Sequence, residues 1–309
     1  MLSVKHILSA RDLTRKDVDL ILTTARALKE ISYRPIKKVP TLRGKQMLLC
    51  FFEDSTRTRL SFDIAAKRLS SDTAVISKSG SAISKGETII DTIRNLAAMQ
   101  TDVIVIRHKE AGTPHQVAQA FPNISVINAG DGINEHPTQA LLDLMTMQDA
   151  KGSVEGLNVL ISGDIYHSRV ARSNMILLKK MGAKVHVAAP RTFVPIDVES
   201  IYGVKVHTDI REAVRIADII MMLRIQLERQ DGFYFPNARE YSKYFGLDEA
   251  VMRLAKPDVV VMHPGPVNRG LELAPEVADG PHSVILEQVE NGVAVRMALL
   301  YLLCGGRES

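Results

Sequence analysis

The chain has 309 residues, of which 46% are hydrophobic and 24% are charged. These proportions exclude a disordered or fibrous protein, and the length favours two domains over one. Lys and Arg outnumber Asp and Glu by 39 to 35, an excess spread along the chain that is compatible with nonspecific nucleic-acid binding and equally with a potential that attracts small anionic substrates.

Short apolar runs alternate with amphipathic stretches along the whole chain. Strands are predicted at 47–52, 73–78, 102–108, 124–130, 157–164, 183–190, 204–209, 218–223 and 258–264. Most of these runs are apolar on consecutive residues, which is typical of strands buried on both faces of a parallel sheet. Helices are predicted between them at 14–31, 86–100, 137–150 and 169–181. The alternation predicts α/β architecture, with two doubly wound domains that each have a mainly parallel sheet flanked by helices and are joined by interdomain helices.

The two series of strands are separated by the helical stretch "EHPTQALLDLMTMQDAKG", where we place the domain boundary. The first domain is predicted to comprise residues 1–137 and the second residues 138–288. A last helix within 289–309 is predicted to pack back on the first domain.

The residues that follow the strands are the informative ones, because ligands bind outside the carboxyl ends of strands in open α/β sheets. Six such strand exits contain "STRTR", Arg107-His108, "NAGDGINEHPTQ", "GDIYHSR", Arg224 and "HPGPVNR". Five of the six carry an arginine, although loops normally mix both signs of charge. The pattern indicates one or more anionic ligands.

The stretch "FFEDSTRTRLSF" follows the first predicted strand and begins a helix. Asp54 or Ser55 can cap this helix, and its apolar spacing predicts a buried face. Arg57 lies in the first turn, where backbone N–H groups and the helix dipole already favour negative charge. A cation there is the wrong sign for helix stability and the right sign for a bound phosphate. The alternative is an ordinary surface arginine.

Two further exits carry polar side chains that admit two interpretations. Arg107 ends an apolar strand and either faces the ligand or pairs with a carboxylate. Pro137 suits the first helical position, so His136 and Gln139 lie on one side of a helix entrance, where together they can hydrogen-bond a carbonyl oxygen and an amide NH2. His136 can equally be a structural histidine.

The second series of strands offers arginines suited to carboxylates. Arg169 falls at a helix start, and Arg224 and Gln226 follow another strand. Two arginines from separate exits can each bind one carboxylate through paired hydrogen bonds. The proline-rich "HPGPVNRG" offers backbone carbonyls suited to an NH2 group, or is simply a rigid turn. The loop "KSGSAISKGET" is typical of a mobile surface segment, although Ser81 and Lys85 can reach a ligand from it.

Several kinds of site have no matching pattern in the sequence. There is no zinc-ligand spacing, P-loop, G-x-S-x-G elbow or catalytic cysteine motif, and no metal is expected. Cys50 and Cys304 lie in apolar runs typical of small core residues. The first thirty residues do not have the pattern of a secretion signal, and no apolar run approaches the ~20 residues that span a bilayer. We therefore expect a cytoplasmic protein that has no membrane partner.

The motifs "STRTR", "SKGET", "HPTQALLDL", "RIQLER" and "HPGPVNRG", in this order, resemble those of the aspartate/ornithine carbamoyltransferase family. The resemblance runs from "ARDLTRKDV" to "VRMALLYLL". Lys85 and its loop, "RIQLER", and "HPGP" in place of a cysteine-bearing "HCLP" favour the members that use aspartate. Many relatives have "HPLPR" where this chain has "HPGPVNR", a departure that a backbone contact tolerates.

The resemblance implies a role for each matched residue. The groups binding carbamoyl phosphate would be Ser55, Thr56, Arg57, Thr58, Arg107, His136, Gln139, and the backbone of Gly265 and Pro266. Those binding aspartate would be Lys85, Arg169, Arg224 and Gln226. Catalysis would depend on Arg57, Thr58, Arg107 and His136. Ser81 and Lys85 would come from the adjacent subunit of a homotrimer.

The activity implied is transfer of the carbamoyl group of carbamoyl phosphate to the α-amine of L-aspartate, giving N-carbamoyl-L-aspartate and phosphate for pyrimidine synthesis. It would need no cofactor and no nucleic acid. The resemblance leaves open whether regulatory chains or a dihydroorotase associate. One alternative is a carbamoyltransferase with another amine acceptor, such as ornithine. A second alternative is a non-catalytic nucleotide- or RNA-binding module, which would normally carry a glycine fingerprint or an aromatic-interleaved basic patch.

Overall fold

The computed structural model describes residues 1–77, 86–226 and 237–304. The chain divides into two compact units. Unit 1 consists of Met1–Leu142 together with the chain from Glu290 on, and unit 2 consists of Asp143–Val289. None of the helices within the described ranges is long and apolar enough to cross a membrane.

Unit 1 is built on a four-stranded parallel sheet. Its strands are β1 (Gln46–Phe51), β2 (Asp72–Ser77), β3 (Val103–His108) and β4 (Ser125–Asp131). Its helices are α1 (Arg15–Lys29), α2 (Thr56–Arg68), α3 (Ile89–Ala97), α4 (Thr113–Ala120) and the start of α5 (Pro137–Lys151). The strand order is β2-β1-β3-β4, so the connections run in opposite directions from β1 and from β3. The carboxyl ends of β1 and β3 therefore form the switch point at which such sheets bind ligands.

Unit 2 repeats this plan with five parallel strands. They are β5 (Asn158–Ser162), β6 (Lys184–Ala188), β7 (Lys205–His207), β8 (Ile219–Met222) and β9 (Val260–Met262). The helices are α6 (Arg169–Lys180), α7 (Val198–Tyr202), α8 (Ile210–Ile216), α9 (Ala238–Phe245), α10 (Glu249–Met252) and α11 (Pro275–Ala278). The order β7-β6-β5-β8-β9 places the switch point between β5 and β8.

Two helices carry the chain from one unit to the other. They are α5, and α12 at Ile285–Cys304. Within unit 1, Arg296 of α12 donates from Nη1 to Ser61 Oγ at 2.8 Å and lies over the ring of Phe62 at 5.1 Å. Phe62 is completely buried. The returning helix therefore contacts α2 at Ser61 and Phe62.

The predicted fold class is confirmed. Each of the nine predicted runs overlaps one of the observed strands, and every strand pairing that the structure describes is parallel. The predicted inner face of α2 is also buried, at Phe62, Ala65, Ala66 and Leu69. Cys50 and Cys304 are buried thiols, and burial raises the pKa of Cys50 to about 12. The structure thus agrees with the core assigned from apolar spacing.

A chain of polar side chains crosses strands β5, β6 and β7 of unit 2. Asn158 donates from Nδ2 to Asp218 Oδ2 at 3.3 Å, so its Oδ1 is the acceptor that faces His186 Nε2 at 3.2 Å. Nε2 of His186 therefore carries the hydrogen, and its Nδ1 accepts from His207 Nε2 at 3.0 Å. Burial is the main cause that lowers the pKa of both histidines, and the charge of Lys205 adds to it.

Because the pKa values of His186 and His207 are lowered in the folded protein, we expect its stability to fall as the pH falls. Below about pH 6.5 the unfolded chain takes up protons on His186 and His207 that the folded chain binds less readily. The apparent free energy of unfolding should fall as the pH drops from 7.5 to 5.5, measured by urea titration at each pH. His207→Gln should flatten this dependence. Burial also lowers the pKa of His108. Because wild type and His207→Gln both contain His108, its contribution to the pH dependence cancels when the two are compared. Equal slopes in the two proteins would contradict the prediction.

Candidate active site

The first turn of α2 lies at the carboxyl end of β1 in unit 1. Ser55 occupies the N-cap position in extended conformation, with φ −162° and ψ 95°, and among the described residues its side chain makes no capping hydrogen bond. The turn contains Arg57, which is exposed, and Thr58, which is buried. The backbone N–H groups of this turn and the guanidinium of Arg57 are therefore placed to bind an anion.

Arg107 lies across from this turn, at the end of β3. It is the register partner of Phe51 at the end of β1, and its Nη2 donates to Glu53 Oε1 at 2.9 Å. Its Nη1 donates to the carbonyl of Ala129 on β4 at 3.3 Å. Both members of the ion pair are largely buried, so the pair fixes the guanidinium at the switch point of the sheet. Of the two interpretations of Arg107, pairing with a carboxylate is the one observed.

A buried carboxylate shapes the loop that enters α5. Asp131 accepts hydrogen bonds from Gly112 N at 2.8 Å, Asn128 Nδ2 at 2.9 Å, and Asn134 Nδ2 and Glu135 N at 3.0 Å. Gly132 N also donates to the carbonyl of His108 at 2.9 Å, which ties the loop to the end of β3.

The two side chains that follow this loop are both buried. His136 is 3% exposed and Gln139 is 8% exposed. The imidazole and the carboxamide thus begin α5 beside the strand exit that carries Arg107.

Unit 2 brings the exits of β5 and β8 together in the same way. Leu223 N donates to the carbonyl of Ser162 at 2.7 Å, and Gln226 Nε2 donates to the carbonyl of His167 at 3.2 Å. Arg169, in the first turn of α6, is buried, and Arg224 is half-buried. Two arginines and a carboxamide therefore follow the two strands at this switch point, an arrangement suited to carboxylates.

His167 is held at this switch point by a fully buried acid. Its Nδ1 lies 2.9 Å from Oδ1 and 3.0 Å from Oδ2 of Asp164. The backbone N–H of His167 also donates to Asp164 Oδ1 at 3.1 Å. The carboxylate thereby fixes the loop whose carbonyl receives Gln226.

Gly163 makes the close approach of these two exits sterically possible. Its φ is +132°, and a Cβ at this position would lie 2.4 Å from the carbonyl oxygen of Leu223. Because that oxygen belongs to the backbone next to Arg224, a side chain here would have to displace the β8 exit. The site therefore depends on this glycine.

Gly163→Ala is expected to destabilise the protein by roughly 2–4 kcal/mol through strain and overlap. Gly156→Ala is the matched control, since Gly156 has φ +78° but nothing within 4 Å of the added Cβ. The urea midpoints of both variants should fall, with the larger fall in Gly163→Ala. Equal midpoints would show that the contact with Leu223 is not limiting.

The "HPGPVNRG" stretch follows β9 and is turned by its own hydrogen bonds. Gly265 has φ +66°, and its N–H donates to His263 Nδ1 at 2.8 Å. Arg269, the arginine of this exit, makes two hydrogen bonds of 2.6 and 2.9 Å to the exposed Asp279. Arg269 is one of the five arginines found at strand exits. Its pairing with Asp279 at the surface accounts for it without a ligand.

Both units match one family of known proteins. Residues 5–149 match the family described as aspartate/ornithine carbamoyltransferase, carbamoyl-P binding domain, and residues 155–303 match its Asp/Orn binding domain. The chain belongs to the aspartate/ornithine carbamoyltransferase family. A protein of Desulfosudis oleivorans named aspartate carbamoyltransferase catalytic subunit is 57% identical over 306 residues, which cover 99% of this chain and 98% of that protein.

Solved structures of this carbamoyltransferase family share the fold. A crystal structure of aspartate transcarbamoylase from Trypanosoma cruzi in complex with carbamoyl aspartate and phosphate has a TM-score of 0.85 and 33% identity, covering 97% of this chain and 96% of that one. Ornithine carbamoyltransferase from Pyrococcus furiosus has a TM-score of 0.84 and 31% identity, with 98% of each chain covered. Overall similarity of fold therefore does not distinguish the acceptor.

Several residues of this candidate site could be identified from the sequence, and others could not. Arg57, Arg107, Arg169 and Arg224 each lie at the switch point of their own unit. Ser81 and Lys85 lie outside the described residues, so their roles stay predictions. Glu53 carried a signal in "FFED", an acid directly after a strand, but only the β1–β3 pairing identifies its partner. The other residues that sequence reasoning missed are Asp131, Asp164, His167 and His263.

The described residues contain no cluster of side chains that could form a metal centre. No group of three or more His, Cys, Asp or Glu side chains that could hold a metal ion occurs within 1–77, 86–226 and 237–304. Besides the carboxylates of Glu53 and Asp164, which pair with Arg107 and His167, the polar groups at the two switch points are arginines, hydroxyls and carboxamides, with His136 at the start of α5. These side chains bind phosphate and carboxylate by hydrogen bonds and charge.

Proposed function

We propose that this chain is an aspartate carbamoyltransferase, which transfers the carbamoyl group of carbamoyl phosphate to L-aspartate and releases phosphate. The observation that carries the proposal is the distribution of arginines, because two of them follow the strands at the switch point of each unit. Arg57 and Arg107 suit a phosphorylated donor, and Arg169 and Arg224 suit a dicarboxylic acceptor. Ornithine, with its cationic side chain, would instead require acidic groups next to its amine.

Unit 1 is proposed to bind carbamoyl phosphate. The hydroxyls of Ser55, Thr56 and Thr58 and the N–H groups of the α2 first turn would bind the phosphate, with Arg57 beside them. The substrate carbonyl would accept from Arg107, His136 and Thr58, and Gln139 would contact the carbamoyl group.

The reaction follows from these contacts. The deprotonated α-amine of aspartate attacks the carbamoyl carbon, and negative charge develops on the carbonyl oxygen. Donors already aimed at that oxygen stabilise the charge without reorganisation. The bond from carbon to the phosphate oxygen then breaks, the attacking nitrogen gives up a proton to the departing phosphate, and Arg57 stabilises the charge on that phosphate. Neither step requires a cofactor.

Aspartate is proposed to bind through Arg169, Arg224 and Gln226, with Lys85 assisting. Ser81 and Lys85 would be supplied by a neighbouring copy in a homotrimer, as the family resemblance implies. The product, N-carbamoyl-L-aspartate, would feed pyrimidine synthesis in the cytoplasm. Relatives named as catalytic subunits are consistent with additional regulatory chains.

Assays of the purified chain with carbamoyl phosphate and either L-aspartate or L-ornithine test the proposal. N-carbamoyl-L-aspartate and an equal amount of phosphate are expected with aspartate, and only background product with ornithine. Citrulline formation from ornithine at a comparable rate would overturn the assignment of the acceptor. No transfer to either amine would overturn the assignment of the reaction.

A further inference from the structure

A cavity of about 380 Å³ lies in unit 2, between α10, α11 and the turn that follows α11. His282 lines this cavity and contacts the carbonyl of Val259, directly before β9, so the cavity is at the amino end of that strand. The strands of unit 2 are parallel, and the proposed aspartate residues follow their carboxyl ends. The cavity is therefore separate from the candidate active site, and its volume is typical of pockets that hold small organic ligands.

Two apolar side chains of the lining belong to the edge of the core. Val277, on α11, is 6% exposed and lies in the same buried cluster as Val251 and Leu273. Met252, on α10, is partly buried and packs against that cluster. Their positions are fixed by the core, so they offer a preformed apolar surface to a ligand.

The turn after α11 forms a wall of fixed shape. Gly280 N donates to the carbonyl of Val277 at 3.3 Å, and Ser283 N donates to the carbonyl of Gly280 at 3.1 Å. A Cβ at Gly280 would lie 2.7 Å from the carbonyl oxygen of Glu276, so the turn closes tightly on the helix before it. A ligand would meet this wall already in place, which lowers the entropy cost of binding.

Hydrogen bonds orient the ring of His282. Its Nδ1 lies 3.0 Å from the carbonyl of Val259, which can only accept, so Nδ1 carries the hydrogen and donates. The carbonyl of His282 also accepts from Val261 N at 2.8 Å, which ties the residue to β9. In the neutral ring Nε2 is then an acceptor, suited to an N–H donor on a ligand.

Three charged side chains complete the lining, and none of them makes an ion pair within residues 1–77, 86–226 and 237–304. Glu249 begins α10, and Arg253 follows its last residue in helical conformation, with φ −61° and ψ −15°. Glu and Arg four residues apart on a helix commonly pair, yet these two stay apart while both line the cavity. Glu276, on α11, adds a second carboxylate. The apolar side chains are thus surrounded by two negative groups and one positive group.

We propose that this cavity binds a free α-amino acid with an apolar side chain. Glu249 and Glu276 accept hydrogen bonds from its ammonium group, and Arg253 donates to its carboxylate. Its side chain lies against Met252 and Val277. A simple anion would face two carboxylates, and a simple amine would leave Arg253 without a partner, so a zwitterion fits the charges best. The site does not depend on the proposed carbamoyl transfer.

L-leucine is the probe, and two analogues each remove one of its charges. 3-Methylbutylamine lacks the carboxylate, and 4-methylpentanoate lacks the ammonium group. Titration calorimetry of the full chain with each compound gives the three Kd values. The Kd of each analogue should exceed that of L-leucine about tenfold, the cost of losing one charged hydrogen-bonding group.

Two variants assign the charges to their residues. Arg253→Gln should raise the Kd of L-leucine about tenfold and leave that of 3-methylbutylamine unchanged. Glu276→Gln should weaken binding of L-leucine and of 3-methylbutylamine, but not of 4-methylpentanoate. Arg215→Gln and Glu240→Gln are the matched controls, at positions outside the cavity lining, and should bind L-leucine as wild type does. All four positions are exposed, so none of the variants removes core packing.

Arg224→Ala shows which of the two places in unit 2 takes the amino acid. L-leucine should bind this variant with the wild-type Kd, since Arg224 follows β8 at the other end of the sheet. Loss of L-leucine binding in Arg224→Ala would place the amino acid at the candidate active site and overturn the proposal. It would also be overturned by a wild-type protein that does not bind L-leucine, or that binds 3-methylbutylamine equally well.

Discussion

Arg57→Ala is expected to lower kcat by ~10²–10³ while the protein stays folded, a loss typical of removing a group that stabilises developing charge. Among the described residues the side chain of Ser55 makes no capping hydrogen bond, and Arg57 places a cation in a first turn where the helix dipole favours an acid, so a bound anion would suit this turn. Its side chain is exposed, so truncation removes no core packing. Steady-state rates at saturating carbamoyl phosphate and L-aspartate measure the effect.

A control on the same helix distinguishes this loss from a general effect of charge. Lys67 lies three turns further along α2, is 58% exposed and pairs with Asp63 at 2.7 Å. Lys67→Ala removes an exposed cation and a pair worth only a few tenths of a kcal/mol. Its kcat should match that of wild type. Near-normal turnover in Arg57→Ala would remove the central role assigned to this arginine.

Arg224→Ala is expected to raise the KM for L-aspartate by about 100-fold, the loss expected when a guanidinium that makes paired hydrogen bonds to a carboxylate is removed. Arg224 follows β8 directly and is half-buried, so water replaces its contacts only in part. Arg224→Lys keeps the charge but loses the planar fork, and its KM should lie between those of wild type and the alanine variant.

The KM for carbamoyl phosphate serves as the internal reference for this change. It should remain near the wild-type value, because Arg224 is assigned to the acceptor alone. Arg215→Ala, at an exposed position on α8, is the control for loss of a cation in the same unit and should change neither KM. If both KM values rose together in Arg224→Ala, the arginine would be acting on the structure of unit 2 and not on aspartate.

Most of the fold could be predicted from the sequence, because parallel strands that are buried on both faces have apolar residues at consecutive positions. In "DVIVIRH" and "DIIMML" the apolar side chains alternate between the two faces of the sheet, and all of those in β3 and β8 are buried. The buried face of α2 could likewise be predicted from the helical spacing of its apolar residues. Such patterns are local, so a single sequence suffices to recognise them.

The site was only partly readable because its supporting contacts join distant parts of the chain. Arg57 was recognisable from its position in a first turn, whereas the Glu53–Arg107 pair spans 54 residues and depends on β1 lying beside β3. Arg269 shows the opposite error, since an arginine at a strand exit turned out to pair with Asp279. Counting charges at exits identifies the end of the sheet, but the partners require the folded chain.

The return of α12 to unit 1 sets the order in which the units complete their folding during synthesis. Unit 2 is one uninterrupted segment, Asp143–Val289, and has all its strands once that segment has left the ribosome. Unit 1 must wait for Arg296, which covers Phe62 and binds Ser61. The part made first is therefore finished last, because α2 lacks its contacts with Arg296 throughout translation of unit 2.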